Sequence, residues 1–210
     1  MLIAKFKKQL ARPTRSLAGW LTSKLFKVHN RMLEENAVQL SGIQAEDTVL
    51  ELGHGPGLGL QSAAELLTQP KGHLIGVDYS EYMHQMASKQ LKELVASGKV
   101  TLHLCDVAAM PLADSCVDKV FHCNCYYFWP DMRGAATEIH RVMKPGSTMV
   151  ATLVLNRVEI IASQGGFPGE NWRPENYMAA LSNSGFVDVR MEEKKQGNIS
   201  FQAIYATASK

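Results

Sequence analysis

Thr48-Val49-Leu50-Glu51-Leu52-Gly53-His54-Gly55-Pro56-Gly57 is the stretch that decides the fold. Its first five residues form a short apolar run of strand-forming character. The run passes straight into glycines at alternate positions. Such glycines let the backbone turn tightly after a strand and approach a ligand, because no Cβ stands in the way. Leu58 to Leu67 then reads as a helix, ended near Pro70. A helix opened by such a loop presents unpaired N–H groups and the positive end of its dipole. The spacing is G-x-G-x-G. The dinucleotide fingerprint G-x-G-x-x-G fails, since its third glycine would fall at Leu58, and Gly59 does not repair it.

Outward from this stretch the chain alternates. His73 to Asp78 reads as a strand, and Ser80 can cap a helix from Glu81 to about Ser97, closed by Gly98. Val100 to Cys105 is a third strand and Val117 to His122 a fourth. Asp131 can cap a helix from Met132 to Met143, ended by Pro145-Gly146. Thr148 to Leu155 is a fifth strand, and Pro174 starts a helix closed by Gly185. Phe186 to Met191 and Ile199 to Thr207 have no helix between them and form an antiparallel hairpin. Upstream, apolar residues recur at helical spacing from Leu17 to Leu40, after Pro13 and before Ser41-Gly42. Repeated strand–helix alternation argues for an α/β, doubly wound, mostly parallel sheet covered on both faces. With the C-terminal antiparallel hairpin it has seven strands. Residues 1–42 are expected to form a helical region over the site, and 43–210 the ligand-binding domain.

Ligands of open α/β sheets bind beyond the carboxyl ends of the strands. Asp78 ends the second strand, 21 residues after Gly57, where an acid can accept bonds from two ribose hydroxyls. Asp106 ends the third, where a carboxylate can accept from an amino group such as that of adenine. A strand-end aspartate is often only a turn or cap residue. Polar stations on three successive strand ends are far more specific.

Together these residues resemble the class I S-adenosylmethionine-dependent methyltransferases. The resemblance rests on Val49 to Gly57, on Gly76-Val77-Asp78-Tyr79-Ser80, and on Cys105-Asp106-Val107. Arg141-Val142-Met143-Lys144-Pro145-Gly146 is similar to a stretch of the ubiquinone-methyltransferase-like, small-molecule branch. The resemblance covers about residues 43 to 155. It implies a Rossmann-like methyltransferase fold and S-adenosyl-L-methionine as cofactor. Glu51 and the backbone of Gly53, Gly55 and Gly57 would hold the methionine part. Asp78 would hold the ribose, with Tyr79 and Met83 against the adenine. Asp106 and Val107 would meet the adenine edge, and Asn124 would lie beside the methionine.

After the fourth strand comes Cys125-Tyr126-Tyr127-Phe128-Trp129-Pro130, where the family lines its acceptor pocket. Rings in a row cannot all face one way. One or two of Tyr126, Tyr127 and Trp129 are expected in the pocket, where they could stabilise a flat ring or a cationic nitrogen. The N-terminal region, with Trp20, His29, Asn30 and Met32, could cover it. So could residues 156–173, a Gly165, Gly166 and Gly169 loop that carries Trp172. Both segments are short, which favours a small-molecule acceptor over a protein or nucleic acid. Displacement at a sulfonium methyl needs mainly alignment and exclusion of water. A hydroxyl acceptor of high pKa would also want a base. His29, His54, His122, Tyr126 and Tyr127 are the candidates, each with an ordinary structural reading beside it.

Two other classes stay open. One is a cofactor-binding relative without catalysis. The other is a nucleic-acid methyltransferase that uses the basic N-terminal stretch, although no Asn-Pro-Pro-Tyr or Asp-Pro-Pro-Tyr motif follows the fourth strand. The chain of 210 residues is 46% hydrophobic, enough for a core without disulfide or metal staples. Its formal net charge of +2 points to no particular partner. Before Glu34 there is no acidic residue, while Lys5, Lys7, Lys8 and Arg12 lie in that stretch. A solvated helix face, a basic membrane-surface helix and a mitochondrial presequence are its readings. No run has the roughly 20 apolar residues that span a bilayer. Cys105, Cys116, Cys123 and Cys125 lack zinc-site spacing, so no metal is expected, and free thiols fit a reducing cytoplasm.

Overall fold

A computed structural model describes residues 14, 16, 30–167 and 169–210. The described part opens in helix α1, seen over 30–40. The remaining elements are β1 (Thr48–Leu52), α2 (Leu58–Ala64), β2 (His73–Asp78), α3 (Glu81–Gln90), α4 (Lys92–Ala96), β3 (Val100–Leu104) and β4 (Val117–Cys123). A 3-10 turn (Tyr126–Phe128), α5 (Met132–Val142), β5 (Met143–Leu153), α6 (Leu155–Ser163), α7 (Pro174–Asn183), β6 (Phe186–Gln196) and β7 (Ile199–Ala208) complete it.

The seven strands form one sheet in the order β3-β2-β1-β4-β5-β7-β6. β1 to β5 are parallel, and β7 runs antiparallel to both β5 and β6. The chain builds outward from β1 to β3, then crosses back to lay β4 on the other side of β1. That reversal opens the crevice.

Strand side chains alternate between faces, so each central strand feeds two cores. Leu50, Leu52, Ile75, Val77 and Val120 face α5 and α7, where Ala135, Ile139, Tyr177 and Leu181 are buried. Val49, Leu74, Val100 and Phe121 face α1 and α2, against Ala37, Leu60 and Ala63. Glu51 shares the face of Val49 and lies under α2. A Cβ at Gly59 would stand 2.3 Å from Glu51 Oε1 and 2.9 Å from Phe121 Cε2. Gly59 is therefore what lets α2 lie flat on the sheet.

The caps form as the sequence indicates. Ser80 Oγ accepts from Met83 N–H at 3.4 Å, and Asp131 Oδ1 accepts from Gly134 N–H at 2.8 Å. Pro174 stands in the first turn of α7. Four differences emerge. The helix after Ser80 is interrupted at Leu91, which turns down against Gly57. Part of the expected loop over 156–173 is helix α6, whose Val158 is buried. β5 begins at Met143, which pairs with Val117 before an irregularity at Pro145-Gly146, where Gly146 takes φ 74°. The hairpin strands run on through polar residues until only Gly197 and Asn198 join them, with Gly197 at φ 58°. Among the described residues no helix is long and apolar enough to cross a membrane.

Arg141-Val142-Met143-Lys144-Pro145-Gly146 braces the amino end of β5. The Arg141 guanidinium reaches Glu138 at 2.7 Å, Asp114 at 2.6 Å and the Leu112 carbonyl at 2.8 Å. Lys144 Nζ donates to Asp118 at 2.8 Å. This motif therefore secures the sheet at the end away from the crevice.

Candidate functional site

β1 stops where its backbone turns. Gly53, Gly55 and Gly57 take φ values of 65°, 51° and 89°, a region in which a side chain is strained. Gly53 N–H donates to the Val77 carbonyl at 2.8 Å, so the loop is tied to the end of β2. Asp78 fastens it further. One carboxylate oxygen accepts from Gly55 N–H at 2.9 Å, the other from Ser80 N–H at 2.7 Å. A carboxylate has about four acceptor positions, so Asp78 keeps capacity for a ligand after both bonds.

A cavity of about 460 Å³ opens beyond the strand ends. Gly53, Gly55 and Pro56 line it from the first loop. Asp78, Tyr79 and Met83 line it from the end of β2 and from α3. Cys105, Asp106 and Val107 come from the end of β3. Cys123, Asn124 and Cys125 follow β4, and Tyr127 to Pro130 continue the wall. Val154, Arg157, Val158 and Ile161 of the β5–α6 segment close the far side with Phe167, and Asn30 and Glu34 of α1 cover it. Asn124 holds φ 50°, its N–H bonded to the Thr152 carbonyl at 3.0 Å and its side-chain amide donating to Asn30 Oδ1 at 3.1 Å. α1 is also pinned by Thr152 Oγ1, which donates to the Leu33 carbonyl at 3.0 Å.

Most residues singled out from the sequence converge on this wall, but several stand behind it. Glu51 is buried under α2, where its carboxyl accepts from Leu60 N–H and leaves Oε2 without a partner. Gly57 packs on α3, where a Cβ would stand 3.2 Å from Ala87 Cβ. His54 is fully buried behind the loop. Its Nδ1 lies 2.8 Å from the Gly55 carbonyl, which can only accept, so the proton sits on Nδ1 and Nε2 is bare. Burial lowers the His54 pKa despite the nearby Asp78. Tyr126 points away from the cavity, stacked on Tyr177 with centroids 4.3 Å apart, and its hydroxyl donates to the Trp172 carbonyl at 2.9 Å. Trp172 is off the wall too, with the Arg173 guanidinium 4.8 Å from its ring centre. His122 is buried against Tyr177, Nε2 to hydroxyl 2.8 Å, and burial drives its pKa down to about 3. Tyr127 and Trp129 do face the cavity. His29 and Trp20 lie outside the described residues, as does most of the basic N-terminal stretch.

The wall therefore carries no histidine among the described residues, and burial pushes the Tyr127 phenol well up. One titratable group of different character stands there. Glu34 is 6% exposed, takes an N–H bond from Gly59 and leaves Oε2 unpartnered. Burial raises its pKa to about 8; Glu35 adds to the rise, and the Gly59 bond and Arg31 oppose it. Glu51 is raised well above the ordinary carboxyl value by burial and by Glu34. The two carboxyls take neighbouring N–H groups of the first turn of α2. Nothing in the local sequence of α1 sets Glu34 apart from Glu35; only docking on the sheet does. Arg157 and Val158 were equally hidden, inside a segment that reads as loop.

Comparison with known proteins gives the family and the fold. A model described as a methyltransferase domain matches residues 50–151. The uncharacterized methyltransferase YdaC of Bacillus subtilis (strain 168) is 31% identical over 138 residues, 65% of this chain and 70% of that one. An O-methyltransferase of Aspergillus nomiae is 28% identical over 127 residues, and the chain spans 55% of its length. A SAM dependent methyltransferase structure from Aquifex aeolicus superposes with a TM-score of 0.66 at 18% identity, covering 88% of this chain and 97% of that one. At that identity the likeness speaks for the fold alone.

Proposed function

The chain belongs to the methyltransferase-domain family, and we propose that its cavity takes S-adenosylmethionine and a small-molecule acceptor side by side, for methyl transfer by direct displacement. One observation carries this reading. Strand-end acids on one side and a ring-bearing wall on the other line a single continuous cavity at the switch point of the sheet. Its size is that of a small-ligand site.

The residues fit the cofactor. Asp78 retains acceptor capacity for ribose hydroxyls, and Tyr79 and Met83 offer an apolar surface for a flat base. Asp106 and Val107 would take the base edge. Gly53 and Gly55 would let the backbone approach the amino acid end, beside Asn124. Glu34 gives this end an unpartnered buried carboxyl oxygen, suited to a cationic amine. When bound, the cofactor supplies an activated methyl group and its own leaving group. The protein's part is to align the acceptor against Tyr127, Phe128 and Trp129 and to exclude water under α1 and α6. Direct displacement of this kind suits an acceptor that is already nucleophilic. Assignment to the ubiquinone-methyltransferase-like branch rests on the Arg141–Gly146 motif, which braces the sheet and says little about the acceptor. Cytoplasmic placement is part of the same proposal and rests on the free thiols.

Calorimetric titration with S-adenosylmethionine and S-adenosylhomocysteine tests the reading. Wild type should bind in the micromolar range. Asp106→Ala, which removes an exposed wall carboxylate, should weaken binding about tenfold, the worth of one charge-assisted hydrogen bond. Asp78→Ala should abolish it, partly by freeing Gly55. A folded wild type that binds neither compound would refute the proposal.

A further inference from the structure

On the reading of a shared cofactor and acceptor cavity, the wall is divided by charge. Asp78 and Asp106 stand at the ends of β2 and β3. Arg157, the one cation lining the cavity among the described residues, follows β5. β1 and β4 lie between, so three strand spacings, roughly 14 Å, separate the two sides.

Arg157 is exposed at the mouth of the cavity. Arg141, Arg173 and Arg190 each pair with a carboxylate, whereas Arg157, like the exposed Arg31 and Arg133, has no side-chain hydrogen bond or ion pair among the described residues; of these three it alone lines the cavity. Arg157 is the third residue of α6, in a first turn that holds no acid. That is the helix end at which a cation is least favoured. Around it the wall is apolar and ring-bearing: Val158 and Ile161 from α6, then Phe167, whose ring lies 4.7 Å from Tyr127 and 5.5 Å from Phe128.

We propose that the acceptor is a small molecule with an apolar, ring-bearing body and an anionic oxygen group, and that Arg157 recognises that group. The planar guanidinium fork suits carboxylate and phosphate alike. The rings would hold the body and leave the nucleophilic atom turned toward the cofactor side.

The test uses three matched probes: 2-naphthoate, 2-naphthyl phosphate and neutral 2-naphthamide. Each is titrated into wild type, Arg157→Gln, Arg157→Lys and Lys195→Gln, with and without saturating S-adenosylhomocysteine, by naphthyl fluorescence and calorimetry. Wild type should bind at least one anion about tenfold more tightly than the amide, the preferred anion separating carboxylate from phosphate. Arg157→Gln should erase that preference with S-adenosylhomocysteine affinity unchanged. Arg157→Lys should keep part of it, and Lys195→Gln, an exposed cation on the terminal hairpin, all of it. An amide that binds as well as both anions, a preference that survives Arg157→Gln, or no binding of either anion would overturn the inference. Failure of wild type to bind S-adenosylhomocysteine would instead overturn the methyltransferase reading, and an Arg157-dependent anion preference would stand without it.

Discussion

Replacing Glu34 by glutamine should make the protein more stable as pH rises. The glutamine amide oxygen can still accept from Gly59 N–H, but the side chain cannot ionise. Glu34 titrates near its ordinary value of 4.5 when the chain is unfolded and at about 8 in the folded protein. Between those values the native state holds a proton that the unfolded state has released. Stability therefore falls with rising pH, by about 1.4 kcal/mol per pH unit for one group. From pH 5 to pH 8 the loss approaches about 4 kcal/mol, an upper bound because water entering the cavity would reduce it. Glu34→Gln removes this contribution. At pH 5 the variant should match wild type within about 1 kcal/mol, the worth of one altered hydrogen bond. By pH 8 it should be clearly the more stable. The assay is urea unfolding of both proteins at several pH values across that range. Parallel profiles would refute the reasoning, because they would mean that Glu34 is already ionised in the folded protein at pH 5.

Other outcomes follow from the same structure. Binding of a cationic ligand beside Glu34 should release a proton near neutral pH, read as a buffer-dependent enthalpy with S-adenosylmethionine that Glu34→Gln removes; an enthalpy independent of buffer in wild type would count against this placement. Gly59→Ala forces a Cβ against Glu51 and Phe121 and should cost about 2 kcal/mol or more, seen as a lowered melting temperature. An unchanged melting temperature would show that α2 can lift without loss. Tyr177→Phe leaves the buried His122 Nε2 without its partner and should cost about 1–2 kcal/mol while cofactor affinity is kept. A large loss of affinity would place His122 in the site after all.

Asp78, Asp106 and Asn124 were legible as residues of the cavity wall because strand-end positions are a property of local order. Once periodicity locates β2, β3 and β4, the polar residue that ends the strand or closely follows it lines the crevice. The aromatic run after β4 was legible only as a set. Which ring faces the cavity was decided by Tyr177, 51 residues beyond Tyr126, which stacks on it and draws it under the sheet. His54 looked available on a loop of glycines, and burial behind that loop removed it from the wall. α6 escaped notice because glycines close behind it made the segment read as loop. Its Leu155, Val158 and Ile161 spacing was the signal to follow.

The sequence by itself determined the seven strands, the parallel sense of β1 to β5, the antiparallel hairpin and the place of the crevice, because those follow from the repeating pattern of apolar runs, caps and glycine turns. It also placed Asp78, Asp106 and Asn124 at the strand ends that line the cavity. Only the tertiary structure decided the rest. It brought Glu34 from α1 and Arg157 from α6 onto one wall with residues of β2 and β3, and it buried Glu51 and His54 behind that wall. Local pattern sets which face of an element is apolar. Which polar group on it is stripped of water, and beside which other charge, depends on the elements that pack there from elsewhere in the chain.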